Sequence, residues 1–203
     1  MFYRPGIDPH GLPHNPFKAL IAPRPIGWIS TIDGDGRANL APYSFFNAIA
    51  DSPPMVMYCN TNGKTPGGER KDTLANIRET GEFVHNVVPL ALRDAMNASS
   101  GAYPAGADEF VQAGLEMAPC EVVKPPRVAA APAALECRLW KIIDLPNGRD
   151  FMVIGEVVGI HIDESVLRDG MVDVTLYQPL SRLGYRDYAA VERVFALNRP
   201  GQT

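Results

Sequence analysis

The sequence predicts a mainly β fold, a barrel of short strands with helical insertions. Three observations lead there. Residues 26–32 and 55–60 are β-branched and aromatic runs of strand length. Asp33-Gly34-Asp35-Gly36 and Pro146-Asn147-Gly148-Arg149 each lie between apolar runs, and their Asp-Gly and Asn-Gly steps supply the positive-φ residues of hairpin turns. Nineteen prolines and eighteen glycines in 203 residues interrupt the chain too often for long helices.

Taken in order, residues 1–18 read as an extended N-terminal arm, because prolines at 5, 9, 13 and 16 sustain neither helix nor central strand. Residues 19–190 read as one domain and 191–203 as a C-terminal tail. Strand 26–32 is followed by the Asp-Gly turn, by a second strand over 39–50 stopped at Pro53-Pro54, and by a third over 55–60. Residues 72–80 form the clearest helix, with Asp72 or Thr73 as N-cap, Leu74 and Ile77 on one face and Gly81 past its end. Residues 82–88 read as a strand, 90–98 and 108–114 as short helices, and 121–134 as an extended Pro/Ala-rich surface segment. Residues 135–145 and 151–162 flank the Asn-Gly turn, and 176–188 form the last recognisable unit.

Composition narrows the function. The net charge of −4 argues against a nucleic-acid or anionic-membrane partner, which would require a basic face. No apolar run reaches the roughly 18–20 residues of a membrane span, and the N-terminus lacks the apolar core of a signal peptide. Three cysteines without a close pair fit a reducing cytoplasm. There is no G-x-G-x-x-G, no G-x-x-x-x-G-K-[ST], no H-E-x-x-H and no G-x-S-x-G around Ser44. His10 and His14 are separated by Pro13 and share no helical face, so no metal site is expected.

Two stretches carry positive signals. Residues 24–60 hold more hydrogen-bonding groups (Ser30, Thr31, Asn39, Ser44, Asn47) than a plain core hairpin uses, and read as the wall of a small-molecule site. Lys71, Asp72 and Thr73 open a helix, whose N–H groups and dipole attract phosphate. The bland alternative there is an ordinary cap with solvated basic neighbours. Together the two stretches suggest a site with a phosphate at one end and a planar ring at the other.

The blocks APRPIGWIST, APYSFFNAIADSPP, KDTLANIRETGEFVHNVV and PLSRLGYRDY, in this order over about 24–188, resemble the flavin reductase-like family of flavoredoxins and monooxygenase reductase components. The resemblance implies an FMN-binding split β-barrel, usually a homodimer, with FAD as a possible variant of the cofactor. It places Ser30 and Thr31 near the ribityl-phosphate chain. It puts Ala41, Pro42, Tyr43, Ser44, Phe45, Phe46 and Asn47 around the ring, Cys59 and Asn60 beside the third strand, and Lys71, Asp72 and Thr73 at the phosphate. Arg182 and Tyr185 are further cofactor candidates, with a neighbouring subunit's site as their alternative location, and His85 is a nicotinamide-side candidate.

Each residue has a structural alternative. Asp72 caps the helix, Trp28 and one of Phe45 and Phe46 are core, Cys59 is a small buried hydrophobe, and His85 is a satisfied barrel histidine. The implied activity is NAD(P)H-dependent flavin reduction, with hydride passing to flavin N5 and on to a monooxygenase, another acceptor or free flavin. A non-catalytic FMN electron carrier is the alternative. Arg24, Arg37 and Arg182 are each candidates to meet a 2′-phosphate and so set NADH against NADPH, and residues 99–107 and 121–134 to gate the nicotinamide face.

Overall fold

The computed structural model describes residues 1–61, 72–104 and 106–201. Lys71 lies outside them. The chain begins with an irregular arm and a short helix, α1 (Phe17–Leu20). Six strands and a helix follow: β1 (Arg24–Pro25), β2 (Gly27–Ile32), β3 (Ala38–Tyr43), β4 (Phe46–Asp51), β5 (Pro54–Asn60), α2 (Asp72–Thr80) and β6 (Glu82–Asn86). Next come α3 (Arg93–Ala98), α4 (Glu109–Gln112), the small pair β7 (Met117–Ala118) and β8 (Arg127–Val128), and the long strands β9 (Ala133–Asp144) and β10 (Phe151–Ile162). The chain closes with two small pairs: β11 (Leu167–Arg168) with β12 (Met171–Val172), and β13 (Leu180–Arg182) with β14 (Tyr188–Ala190).

Seven strands form one antiparallel sheet in the order β3-β2-β6-β9-β10-β5-β4. β3 and β4 follow each other in sequence yet occupy opposite edges, so the sheet curls round until its edges meet. This is a split β-barrel with short helical insertions.

The expected strand over 39–50 is therefore two. β3 pairs with β2 and β4 with β5, and the chain leaves one edge and joins the other at Ser44-Phe45, where the Phe45 carbonyl accepts the Cys59 N–H. Both hairpin turns form as their sequences direct. Asp33 Oδ1 accepts the N–H groups of Asp35 and Arg37 across the first. Asn147 Oδ1 accepts those of Arg149 and Asp150 across the second, where Gly148 takes φ 66°. Gly155 sits at a bulge where β10 crosses the Phe83 ring, and a Cβ there would come within 2.4 Å of it.

Two apolar clusters sandwich the β2–β3 hairpin. Inside the barrel, Ile29, Tyr43, Tyr58, Phe83 and Val153 pack with Leu74 and Ile77 of α2. Outside, Trp28, Leu40, Met96, Phe110, Val128 and Leu180 pack beneath α3 and α4. Covered on both faces, β2 is buried along nearly its whole length, its Ser30 and Thr31 included.

The segment 121–134 is not the extended surface segment its composition suggests. Val123, Val128 and Ala131 are buried. The fully buried carboxylate of Glu136 accepts the N–H groups of Glu121, Val122 and Val123 and contacts His161 Nε2 at 2.6 Å. Burial pushes this carboxyl's pKa up, but the Glu121 N–H and His161 bonds, with those from Val122 and Val123, more than offset it and hold the group below the usual range. Among the described residues, no helix is long and apolar enough to cross a membrane.

Candidate functional site

The start of α2 is locked to the β2–β3 hairpin by four buried polar side chains. Asn39 Nδ2 donates to Thr73 Oγ1 at 2.8 Å, and Asn76 Nδ2 donates to Thr31 Oγ1 at 3.0 Å. Asn39 lies opposite Thr31 across the hairpin, while Thr73 and Asn76 stand three apart on the helix, so one face of each element supplies two of the four. The result fixes the helix N-terminus beside the free edge of β3.

A trough of about 280 Å³ runs along that edge. Asn39, Ala41, Tyr43 and Thr73 line one side of it, and residues 99–103 with Glu109 line the other. The 99–103 loop is held by Trp28 Nε1, which donates to Ser99 Oγ at 2.9 Å, and by the Tyr103 hydroxyl, which donates to the Ala98 carbonyl. Past Pro42 and Tyr43 the trough opens into a hollow of about 170 Å³ bounded by Ser44, Asn97, Ser100, Arg182 and Tyr188. In the other direction, past Asn39 and Asp72, it opens toward Asp33 and Arg37. Along this groove the trough shares Pro42, Tyr43 and Ser100 with the hollow on one side, and Asn39 and Asp72 with the opening on the other.

Ionisation in the groove is set mainly by burial. Glu109 accepts the Leu40 N–H at 3.0 Å, and burial raises its carboxyl pKa more than that bond lowers it, with Asp72 and Asp108 adding repulsion. The Tyr43 phenol is pushed far up by burial, against a smaller opposing effect of its hydrogen bond with Thr73. The Tyr43 phenol therefore stays protonated through the neutral range.

The groove collects some of the sequence-derived candidates and not others. Ala41, Pro42, Tyr43, Ser44, Asp72, Thr73 and Arg182 line it. Thr31 stands behind Thr73 as its support. Ser30 does not belong with Thr31: adjacent strand residues face opposite ways. The Ser30 hydroxyl is buried on the outer face, donating to the Pro126 carbonyl and accepting from Asn86.

Phe46 turns into the barrel and packs on His85, ring centroids 4.1 Å apart. His85 is itself buried, and burial lowers its pKa to about 3, so it is a neutral barrel residue away from the groove. Nor is it the satisfied histidine of the structural alternative, because its Nδ1 has no hydrogen-bond partner among the described residues. Phe45 lies under Lys18 and Arg24, and Asn47 is exposed and bonds the Ala48 N–H. Cys59 is half-buried on the side of β5 away from the core, where burial and then Asp150 raise its thiol pKa. Asn60 is buried, and its Oδ1 has no partner among the described residues. Tyr185 is exposed, packs on His14 of the arm, and accepts from Arg182 through its carbonyl.

Of the two gate segments, 99–107 lines the groove through residues 99–103, Gly106 and Ala107, and 121–134 does not, being pinned by Glu136. Asn76, Glu109 and Ser99 belong to the site's framework and carry no motif. The one legible hint was Asn76, three residues beyond Thr73.

A family model described as "Flavin reductase like domain" matches residues 20–181. The chain belongs to the flavin reductase-like family. Three solved structures of the same architecture are similar along nearly the full length. Nitrilotriacetate monooxygenase component B from Bacillus cereus is 29% identical with a TM-score of 0.87, covering 97% of this chain and 98% of its own. The 2-nitrobenzoate 2-nitroreductase of Pseudomonas fluorescens is 31% identical at TM-score 0.80, covering 91% and 89%. Flavoredoxin of Desulfovibrio vulgaris (Miyazaki F) is 28% identical at TM-score 0.73, covering 87% and 91%.

Proposed function

We propose that the protein is an FMN-dependent NAD(P)H oxidoreductase and that the groove along β3 is its flavin site. One observation carries the reading: a helix N-terminus with a buried threonine borders the trough, and Ser44, where the chain leaves β3, borders the hollow beyond it. From Asn39 to Ser44 the extended chain spans about 17 Å, a length suited to a flavin mononucleotide laid out from phosphate to ring.

The donor set fits that cofactor. Thr73 and the first N–H groups of α2 are placed to hold a dianionic phosphate, and the sequence adds Lys71 just before them. The Asp72 carboxylate serves the helix end rather than the phosphate, because like charges repel. Along the edge of β3, Leu40 already gives its outward N–H to Glu109 and Pro42 has none. Backbone donors for a ring therefore come from residues 44–47. Such fixed donors favour the charge a reduced ring carries. When bound, FMN supplies the redox chemistry, taking a hydride from reduced nicotinamide and passing two electrons on to an acceptor. The protein positions the partners and the 99–103 loop limits water. No side-chain acid or base is required, in keeping with the high pKa of Tyr43.

The likeness to flavoredoxin favours a second reading, an FMN electron carrier reduced by another protein. A visible spectrum of the purified protein, followed by anaerobic titration with NADH and NADPH, tests both. Stoichiometric bleaching of bound flavin supports the oxidoreductase. Bound flavin that neither nucleotide bleaches leaves the carrier, and no flavin uptake at all contradicts both. We also propose that the protein works in the cytoplasm as a homodimer, delivering electrons to a monooxygenase or similar acceptor. The exposed Trp140 and Ile160 of the long hairpin and the apolar tail residues Phe195 and Leu197 are surfaces a second copy would cover.

A further inference from the structure

The hollow at the Ser44 end of the groove is lined by one cation, Arg182, far from the helix start assigned to the flavin phosphate. Arg24 on β1 and Arg182 on β13 are directly opposed across two antiparallel strands. Like charges in that relation are destabilising, yet no carboxylate forms an ion pair with either among the described residues. Lys18 adds a third cation, its ammonium 5.7 Å from the centre of the Phe45 ring that Arg24 also overlies at 5.9 Å. In a chain of net charge −4 this is a local concentration of positive charge with no carboxylate partner among the described residues.

The two arginines are not equivalent. Arg24 is buried, and its guanidinium donates to the carbonyls of Lys18, Ile21 and Leu183. It contributes charge but has few donors to offer a ligand. Arg182 lies over the Tyr188 ring at 4.4 Å and donates to the Tyr188 hydroxyl and the Tyr185 carbonyl. Those contacts hold the guanidinium plane at the wall of the hollow and leave further N–H groups for an anion. Arg37, the other candidate, is neutralised by Asp33 at 2.7 Å and Asp35 at 3.1 Å.

We infer that Arg182, backed by the charge of Arg24, is the recognition residue for the phosphate groups of the nicotinamide dinucleotide. The inference rests on the flavin reading of the groove. There the flavin's own phosphate lies at the α2 end, so Arg182 at the opposite end serves the second substrate. NADH and NADPH share the pyrophosphate, so both depend on Arg182.

The test uses FMN-loaded wild type and Arg182→Gln with three hydride donors: NADH, NADPH and 1-benzyl-1,4-dihydronicotinamide, which is neutral and has no phosphate. For Arg182→Gln, kcat/KM with each dinucleotide relative to the benzyl analogue is expected to fall by about tenfold or more, carried by KM, the size expected for one charge-assisted contact. Arg182→Lys is expected to recover part of that ratio, and added salt to lower it in wild type. An equal fall for all three donors, or no fall for any, would overturn the inference while leaving hydride transfer standing. A flavin-loaded wild type that oxidises none of the three donors would overturn the oxidoreductase reading and the inference with it.

Discussion

At His85 the pH dependence of the fold becomes calculable. In the unfolded chain the imidazole takes up a proton near pH 6.5, whereas burial holds it neutral in the fold down to about 3. Between those values the unfolded state binds more protons. The stability contributed by keeping His85 neutral is therefore complete above about pH 6.5 and is lost as the pH falls through that window, by at most about 1.4 kcal/mol per pH unit. His85→Phe, which retains a ring against Phe46, is expected to flatten the loss of urea midpoint between pH 6.5 and 4.5. An equally steep loss in the variant would show that other groups carry it.

The same residue shows how far the sequence could be read. Its strand was evident, but which face His85 takes, and whether an ionisable ring there meets water, depends on the closure of the barrel. Ser30 and Thr31 show the opposite case: alternation alone separates them, and only knowledge of which face carries α2 says which one supports the groove.

Among the elements, residues 121–134 depend on one side chain from another strand. A Pro/Ala-rich stretch has no periodicity of its own, so nothing local reveals that Glu136, ten or more residues on, gathers three successive N–H groups. Glu136→Gln keeps the shape but turns an amide NH₂ toward those donors. It is expected to cost about 3 kcal/mol or more, as for lost bonds to a charged acceptor. Hydrogen exchange should show Val122 and Val123 losing protection ahead of β9. Uniform loss across the sheet would contradict a local anchor. The hairpins, by contrast, were legible because Asp33, Gly36, Asn147 and Gly148 act within their own turns. The break at Ser44-Phe45 was not, since strand residues on both sides have similar propensities and only the sheet order separates them.

At the scale of the whole molecule, the class and the split barrel followed from turn spacing and from the family's ordered blocks. The groove did not, because its second wall, 99–103, is brought to β3 by the Trp28–Ser99 bond across 71 positions. Two surfaces are unpaid within one chain: Trp140 is 61% exposed, and Phe195 and Leu197 in the tail are 86% and 84% exposed. Sedimentation equilibrium is expected to give twice the 22.1 kDa chain mass, and Trp140→Glu to shift the protein toward that single-chain mass. A wild type that sediments as a monomer at micromolar concentration would contradict the homodimer.

The placement of the flavin is tested most directly by fluorescence titration of FMN into wild type, Thr73→Val and Ser30→Ala, each checked for its folded fraction by urea denaturation. Thr73 lies in the groove at the helix start, while Ser30 lies on the other face of the same sheet. Thr73→Val is expected to weaken FMN about tenfold, in line with a hydrogen bond to a charged group, and Ser30→Ala to leave it within about twofold. Loss of FMN binding in Ser30→Ala with full retention in Thr73→Val would mean that the phosphate does not lie at the start of α2.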